Sequence, residues 1–417
     1  MLVAAAPISA AAEEEPAPPN PRQFSAATIF TLTGAVIWWH DGLKHGFGGT
    51  GMFRSADGIT RRLFLSSSVA AALFEPWRAS CASQLTVPTV DSLTLQVVID
   101  SATFGPFLPD EKRPGLAIRR ANVDAGKPAM TRSPLLAEFG LSVLAESNRG
   151  SQLRRVLVDF GYSPGVLAHN LESLDINADS LDAAVLSHGH LDHYGGYPGL
   201  FRHQRASPLP LFVGGEEVFC ERVALIGTPP PLMGTLDRAD LVKAGFDVRI
   251  APDATVVADH AFSTGIIPLR SFERAAIPTQ MRPGKGCSRD KLAPAKQQAG
   301  LLPDDGEHEL ATAYNVKGLG LVVVASCSHR GVLNSVRRAQ EISGEQKVHA
   351  VVGGFHLVRP RTDDEARRTA HELAAMKPAY IVPMHCTGET FIAEAERLLP
   401  NQVIRPYVGT QLTFNTA

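Results

Sequence analysis

Ser187-His188-Gly189-His190-Leu191-Asp192-His193 packs three imidazoles and one carboxylate into six consecutive residues. The apolar run 183–186 just upstream reads as a strand, so the array sits on a loop at a strand's end. Neutral imidazole nitrogens and carboxylates are ligands that zinc, iron and manganese accept. Without a partner, such a cluster costs too much in charge and solvation to be buried. The i, i+2 spacing of His188 and His190 and the adjacency of Asp192 and His193 point the two pairs in different directions. That suits two divalent cations a short distance apart better than one. The chemistry implied is attack by a metal-activated water on an ester, lactone, amide or phosphoester centre. Zinc is the first choice, with iron or manganese as alternatives. Asp192 is expected to orient the nucleophile and take up its proton.

The elements that must position these groups are short. Strands are predicted at 93–99, 141–145, 156–160, 183–186, 209–213, 248–250, 310–316, 319–325, 348–352 and 380–383. Helices are predicted at 197–205, 331–343, 363–376 and 389–399. Short β-branched strands with helices between them indicate an α/β fold, not an all-β one.

The 417 residues are 44% hydrophobic and 20% charged, which excludes a mainly disordered or fibrous chain. Forty basic against 42 acidic residues give no global pull toward nucleic acid or acidic membranes, and no nucleic-acid motif is present. Five cysteines are too few and too scattered for a disulfide scaffold. Residues 1–51 read as a disordered or spurious upstream extension, with an Ala/Glu/Pro run from Ala11 to Pro21. Thr60-Arg61-Arg62-Leu63-Phe64-Leu65 opens an apolar run ending at Phe74, and Ala79-Ser80-Cys81-Ala82 supplies small residues for cleavage. Residues 52–82 thus resemble a twin-arginine export signal, implying a periplasmic protein, or a cytoplasmic one if the segment is not a signal. No stable membrane span is expected.

The domain proper is predicted over 90–415, with an insertion at 251–306 rich in Pro, Gly and charge. Between Arg270 and Lys296 it carries seven basic residues against two acids. This loop and Arg330 are expected to hold an anionic group of a small-molecule substrate by charge-assisted hydrogen bonds.

His188-x-His190-x-Asp192-His193 after an apolar strand resembles the signature of the metallo-β-lactamase superfamily. The resemblance implies a four-layer αββα sandwich. Val158-Asp159-Phe160-Gly161 is similar to the superfamily's strand ending in Asp-x-Gly, whose Asp supports the metal loop. Downstream, Ser326-Cys327-Ser328-His329-Arg330-Gly331, Gly353-Gly354-Phe355-His356-Leu357 and Pro383-Met384-His385-Cys386-Thr387-Gly388 follow in order, each after an apolar strand. Together they resemble the branch of 7,8-dihydropterin-6-yl-methyl-4-(β-D-ribofuranosyl)aminobenzene-5'-phosphate synthase-like proteins. The resemblance covers residues 90 to 415.

It implies His329 and His385 as metal ligands beside His188, His190, Asp192 and His193. Where most members place a bridging Asp, this chain has Cys327, either a thiolate ligand or a small buried thiol. His356 reads as a ligand or as a donor to substrate, and the catalytic set is Asp192, His356 and Arg330. The branch carries Ala-Glu-His-Gly-Leu-Ser where this chain has Ala137-Glu138-Phe139-Gly140-Leu141-Ser142, so a polar residue near the site is replaced by Phe139. His169, His203, His260, His308, His349 and His371 lack companion ligands and read as surface residues. The expected function is a metal-dependent hydrolase. The alternatives are the branch's synthase chemistry, against which an export signal counts, and a non-hydrolytic metal-dependent oxidoreductase on the same scaffold.

Overall fold

Along the strand Gln152–Val158, Val156 and Val158 turn into one apolar cluster while Leu157 turns into another. Gly320–Ala325 behaves alike, with Val322 and Val324 on one face and Leu321 and Val323 on the other. Strands apolar on both faces must be covered on both, and that requirement builds the layers. The computed structural model describes residues 85–103, 108–121 and 133–416, which fall within one compact unit, Arg78–Ala417. The expected segments 1–51 and 52–82 lie outside the described residues.

A nine-stranded sheet runs in the order Phe246–Ile250, Leu209–Val213, Ala183–Leu186, Gln152–Val158, Ser142–Arg149, Ser92–Ile99, Gln411–Phe414, Leu116–Arg119, Glu111–Arg113. A seven-stranded sheet holds Thr255–Val257, Ala261–Ser263, Thr312–Val316, Gly320–Ala325, Val348–Gly353 and Tyr380–Pro383, with Thr89–Val90 paired to Thr312–Val316. Their facing sides share one core that includes Val156, Val185, Val322, Val352 and Phe414. Helix Pro164–Ser173 covers the outer face of the first sheet through Leu167 and Leu171. Helices Val332–Ser343, Asp363–Ala375 and Glu389–Leu398 cover the outer face of the second. The order of layers is αββα, the metallo-β-lactamase sandwich. Among the described residues no helix is long and apolar enough to cross a membrane.

Two expectations are corrected, and one helix was not foreseen. The helix predicted at 197–205 is a single turn, Tyr197–Gly199, because Pro198 and the glycines around it offer no run of helix formers. Helix Pro164–Ser173 was not anticipated, since it shows only Leu167 and Leu171 as buried apolar residues. The segment 251–306 is not one insertion. Thr255–Val257 and Ala261–Ser263 are strands of the seven-stranded sheet. Thr279–Arg282 and Leu302–Pro303 join Glu221–Ala224 and Leu232–Gly234 in a separate four-stranded sheet. A disulfide between Cys220 and Cys287 ties the base of that small sheet together, a pairing the scattered cysteines did not signal.

Candidate metal centre

Every chemistry-bearing loop leaves the carboxyl end of a strand. Asp159 follows Gln152–Val158 and the His188–His193 loop follows Ala183–Leu186. Cys327 and His329 follow Gly320–Ala325, His356 follows Val348–Gly353, and His385 follows Tyr380–Pro383. Crevices outside the carboxyl ends of strands are where α/β folds place ligands. Four residues here adopt the left-handed region although none is glycine: Asp159 (φ 60°), Ser328 (φ 57°), His356 (φ 42°) and His385 (φ 47°). Such strain, of order 1–3 kcal/mol each, collects at functional sites held by surrounding bonds.

Two donor groups converge. One donor atom from each of His188, His190 and His329 lies within 4.8 Å of the others. The same holds for Asp192, His193, Cys327 and His385. Hydrogen bonds on the outer side set the tautomers of His188, His190, His193 and His329. Ser187 Oγ donates to Asp159 Oδ2 at 2.7 Å, so it accepts from His188 Nδ1 at 2.9 Å and leaves Nε2 with a lone pair. His329 Nδ1 donates to the Ala276 carbonyl at 3.1 Å, with the same result. Thr279 donates to Asp304 and accepts from His190 Nε2 at 3.1 Å, freeing His190 Nδ1. His193 Nδ1 donates to Asp159 Oδ2 at 2.7 Å, and its Nε2 faces His385 Nε2 at 3.2 Å and Cys327 Sγ at 3.1 Å. Asp192 Oδ2 lies 3.2 Å from His385 Nε2.

The test of fit to a metal is what these buried atoms lack. His188 Nε2, His329 Nε2 and both nitrogens of His356 are buried without a hydrogen-bond partner. A buried polar atom without a partner costs roughly 1–3 kcal/mol, so a convergent set of them fits cation binding. Burial and the neighbouring imidazoles hold His188 well below the ordinary histidine range, and burial with His356 does so for His329. Both are therefore neutral, the form in which an imidazole offers a lone pair to a cation. Burial opposes the charged forms of Asp192 and His193, yet their pairing overcomes it. Asp192 falls well below the carboxylate range, and His193, held also by Asp159, is pushed up to about 10. Burial and Cys386, whose Sγ is 3.3 Å away, drive the Cys327 thiol up, so it is a thiol unless a cation lies beside it.

A further ring of residues fixes the loops and was not foreseen. Asp100 Oδ1 accepts from the His385 amide at 2.7 Å; burial raises its carboxyl to about 6. Glu309, raised to about 7 by burial, accepts from the amides of His329 and Arg330, each at 2.7 Å. His308 Nε2 accepts from the Gly189 amide at 3.1 Å. Gly189 itself admits no side chain, since a Cβ there would lie 2.4 Å from the Val218 carbonyl. Sequence offered no signal for these, because none is adjacent in the chain to the loop it holds, Asp100 and His308 lying 285 and 119 residues from theirs and Glu309 20. His308, read as a surface residue, is buried, as are His260 and His349; they pair with Gly189, Ser147 and Gly115.

The cleft above the donors has a volume of about 240 Å³ and is lined by His190, Asp192, Cys327, His329, His356 and His385, with Phe139 and Leu232 at its walls. Phe139 lies against His385, ring centroids 4.7 Å apart. Arg330, expected to hold substrate, points elsewhere. Its Nε donates to the Ile267 carbonyl at 2.6 Å and its Nη1 to the Asp305 carbonyl at 2.9 Å, and it does not line the cleft. Five of the seven basic residues of 270–296 are also engaged. Arg270 pairs with Glu341, Arg282 with Glu221 and Lys296 with Glu217, while Arg274 and Arg289 donate to backbone carbonyls.

Comparison with known proteins agrees with this geometry. The model of the Metallo-beta-lactamase superfamily matches residues 139–210, which contain Asp159 and the His188–His193 loop. A Methanocaldococcus jannaschii protein named 7,8-dihydropterin-6-methyl-4-(beta-D-ribofuranosyl)-aminobenzene-5'-phosphate synthase is 29% identical over 289 residues, covering 66% of this chain and 92% of the relative. An uncharacterised protein of the same organism is 26% identical over 276 residues, again 66% of this chain and 92% of the relative. The crystal structure of a metal-dependent hydrolase of the β-lactamase superfamily superposes with a TM-score of 0.56 at 22% identity, covering 76% of this chain and 98% of that one.

Proposed function

We propose that the chain is a metal-dependent hydrolase of the metallo-β-lactamase type, acting on an ester, lactone, amide or phosphoester; the family-model match, the 29%-identical relative and the shared fold support this. The observation that carries this reading is the convergence of His188, His190 and His329 beside Asp192, His193, Cys327 and His385 at the floor of one cleft. The mixed imidazole, carboxylate and thiol donors favour zinc, with iron or manganese as alternatives. Two bound cations would supply Lewis acidity and a water of lowered pKa.

The chain's own residues do the rest. Asp159 holds Ser187 and His193, so one carboxylate sets a histidine in each donor group, His188 through Ser187 and His193 directly. Asp192, 15% exposed and facing the cleft, is the group placed to orient a water and receive its proton. His356 lines the same cleft with both ring nitrogens unpartnered, which suits donation to a substrate oxygen. Arg330 has no part in this, its donors being used by carbonyls.

A second reading, a synthase like the 29%-identical relative, is favoured by that similarity. Against it stands the lack of any Lys or Arg among the described residues lining the cleft, the side chains that best hold a substrate phosphate by charge-assisted hydrogen bonds. We also propose a periplasmic location through export by residues 52–82. The Cys220–Cys287 disulfide supports it, since structural disulfides persist in oxidising compartments.

The test is turnover of an ester, lactone and phosphodiester panel by zinc-loaded protein, with metal content measured in parallel. Loss of metal in His188→Ala together with undiminished turnover would sink the hydrolase reading.

A further inference from the structure

Above its metal-facing floor the cleft is walled by Phe139, Tyr162, Leu191, Leu232, Met233 and Pro278. Four of these leave much of their surface to water: Phe139 is 61% exposed, Tyr162 48%, Leu232 62% and Met233 45%. Apolar side chains this exposed, gathered around one site, are a contiguous patch of the kind that marks a binding surface. They come from two unconnected segments. Phe139 and Tyr162 flank the first sheet's strands, whereas Leu232 and Met233 lie on the strand Leu232–Gly234 of the small sheet whose base the Cys220–Cys287 disulfide ties. The small sheet is therefore fixed at its root, and its apolar edge is held at the mouth.

Charge around the cleft points the same way. No Lys or Arg lines it among the described residues, and five of the seven basic residues of 270–296 are engaged with acids or carbonyls. A charged group on the substrate's flanks would be desolvated there with no partner. An apolar group would take exposed ring and aliphatic surface out of water. The Phe139 ring lies against His385 at the floor.

We propose that the cleft selects an uncharged substrate whose scissile bond is flanked by an apolar acyl or aryl group, seated between Phe139 and Tyr162 and the Leu232–Met233 edge. This rests on the hydrolase reading. Phe139 and Met233 are then specificity-determining residues and not catalytic ones.

The experiment has two arms. In the first, zinc-loaded protein is given 4-nitrophenyl acetate, butyrate and hexanoate, and 4-nitrophenyl phosphate. The expected kcat/KM rises roughly four-fold per added methylene, the worth of one buried CH₂, and exceeds that for the phosphate ester. Phe139→Ala and Met233→Ser flatten the chain-length dependence; Met233 is exposed, so its variant keeps the fold. In the second arm, binding of octanamide is measured by calorimetry with and without zinc, a readout that needs no turnover. Octanamide binding that Met233→Ser weakens several-fold, with no ester hydrolysed, overturns the hydrolase reading and leaves the apolar pocket standing. Turnover indifferent to chain length, preference for the phosphate ester, or absence of octanamide binding overturns the pocket.

Discussion

Asp159 Oδ2 accepts from both Ser187 Oγ and His193 Nδ1 at 2.7 Å, while Asp159 Oδ1 accepts the Ser187 amide at 2.8 Å. One carboxylate thus sets the orientation of His193 directly and of His188 through Ser187. Asp159→Asn removes the acceptor that both depend on. We expect metal affinity to fall about 10–100-fold, the usual effect of losing a residue that orients a ligand, measured by titration against a chelator. Unchanged affinity would leave Asp159 as a fold residue only.

Cys327 is expected to act as a ligand in the metal-loaded protein. Its sulfur lies 3.1 Å from His193 Nε2, on the same side as Asp192 and His385. Cobalt-substituted protein should show sulfur-to-cobalt charge-transfer absorption, and Cys327→Ser should abolish it. Persistence of the band in that variant would return Cys327 to a small buried thiol.

Lys296 is clasped by Glu217 at 2.7 Å, Asp305 at 2.8 Å and Glu307 at 2.7 Å. Burial opposes its charge, yet the acids raise its pKa. Burial likewise opposes ionised Glu217, but His308 and Lys296 hold its carboxyl below its ordinary value of 4.5. The sign follows for each. The raised Lys296 contributes stability in full below its unfolded pKa and loses it only in strong base. The depressed Glu217 contributes above about 4.5 and loses it as pH falls further. Lys296→Met should therefore destabilise by about 1–3 kcal/mol at pH 7. In urea melts at falling pH, the gap from the parent protein should shrink through the carboxylate range.

Cys220 and Cys287 enclose a loop of 67 residues in sequence separation. Replacing both by Ser should lower stability by about 2–4 kcal/mol, read from chemical denaturation. Peptide mapping without reductant should recover the Cys220 and Cys287 peptides joined. Finding them free in protein isolated from the periplasm would remove the support this pair gives to export.

The fold class and most of the donor set were legible in the chain because the signals are local. A strand of 4 residues, Ala183–Leu186, followed at once by His188, His190, Asp192 and His193 carries its ligand array whole. The helices ending at Ser343, Ala375 and Leu398 announce themselves by apolar spacing over three turns or so. The small sheet was not legible. Its strands run from 2 to 4 residues and pair Thr279–Arg282 with Glu221–Ala224 across a long separation, so no periodicity accumulates.

Sequence by itself determined which residues could bind a metal and that strands would end beside them, since residue type and short-range spacing decide both. Only the tertiary structure decided where charge goes. Arg330 and the 270–296 cations looked available for a substrate because sequence cannot show a partner folded in from elsewhere. In three dimensions, carbonyls of Ile267 and Asp305 and the carboxylates of Glu217, Glu221 and Glu341 take them up. The mouth of the cleft is left to Phe139, Tyr162, Leu232 and Met233, because opposite charges and carbonyls brought together by the fold engage these cations away from it.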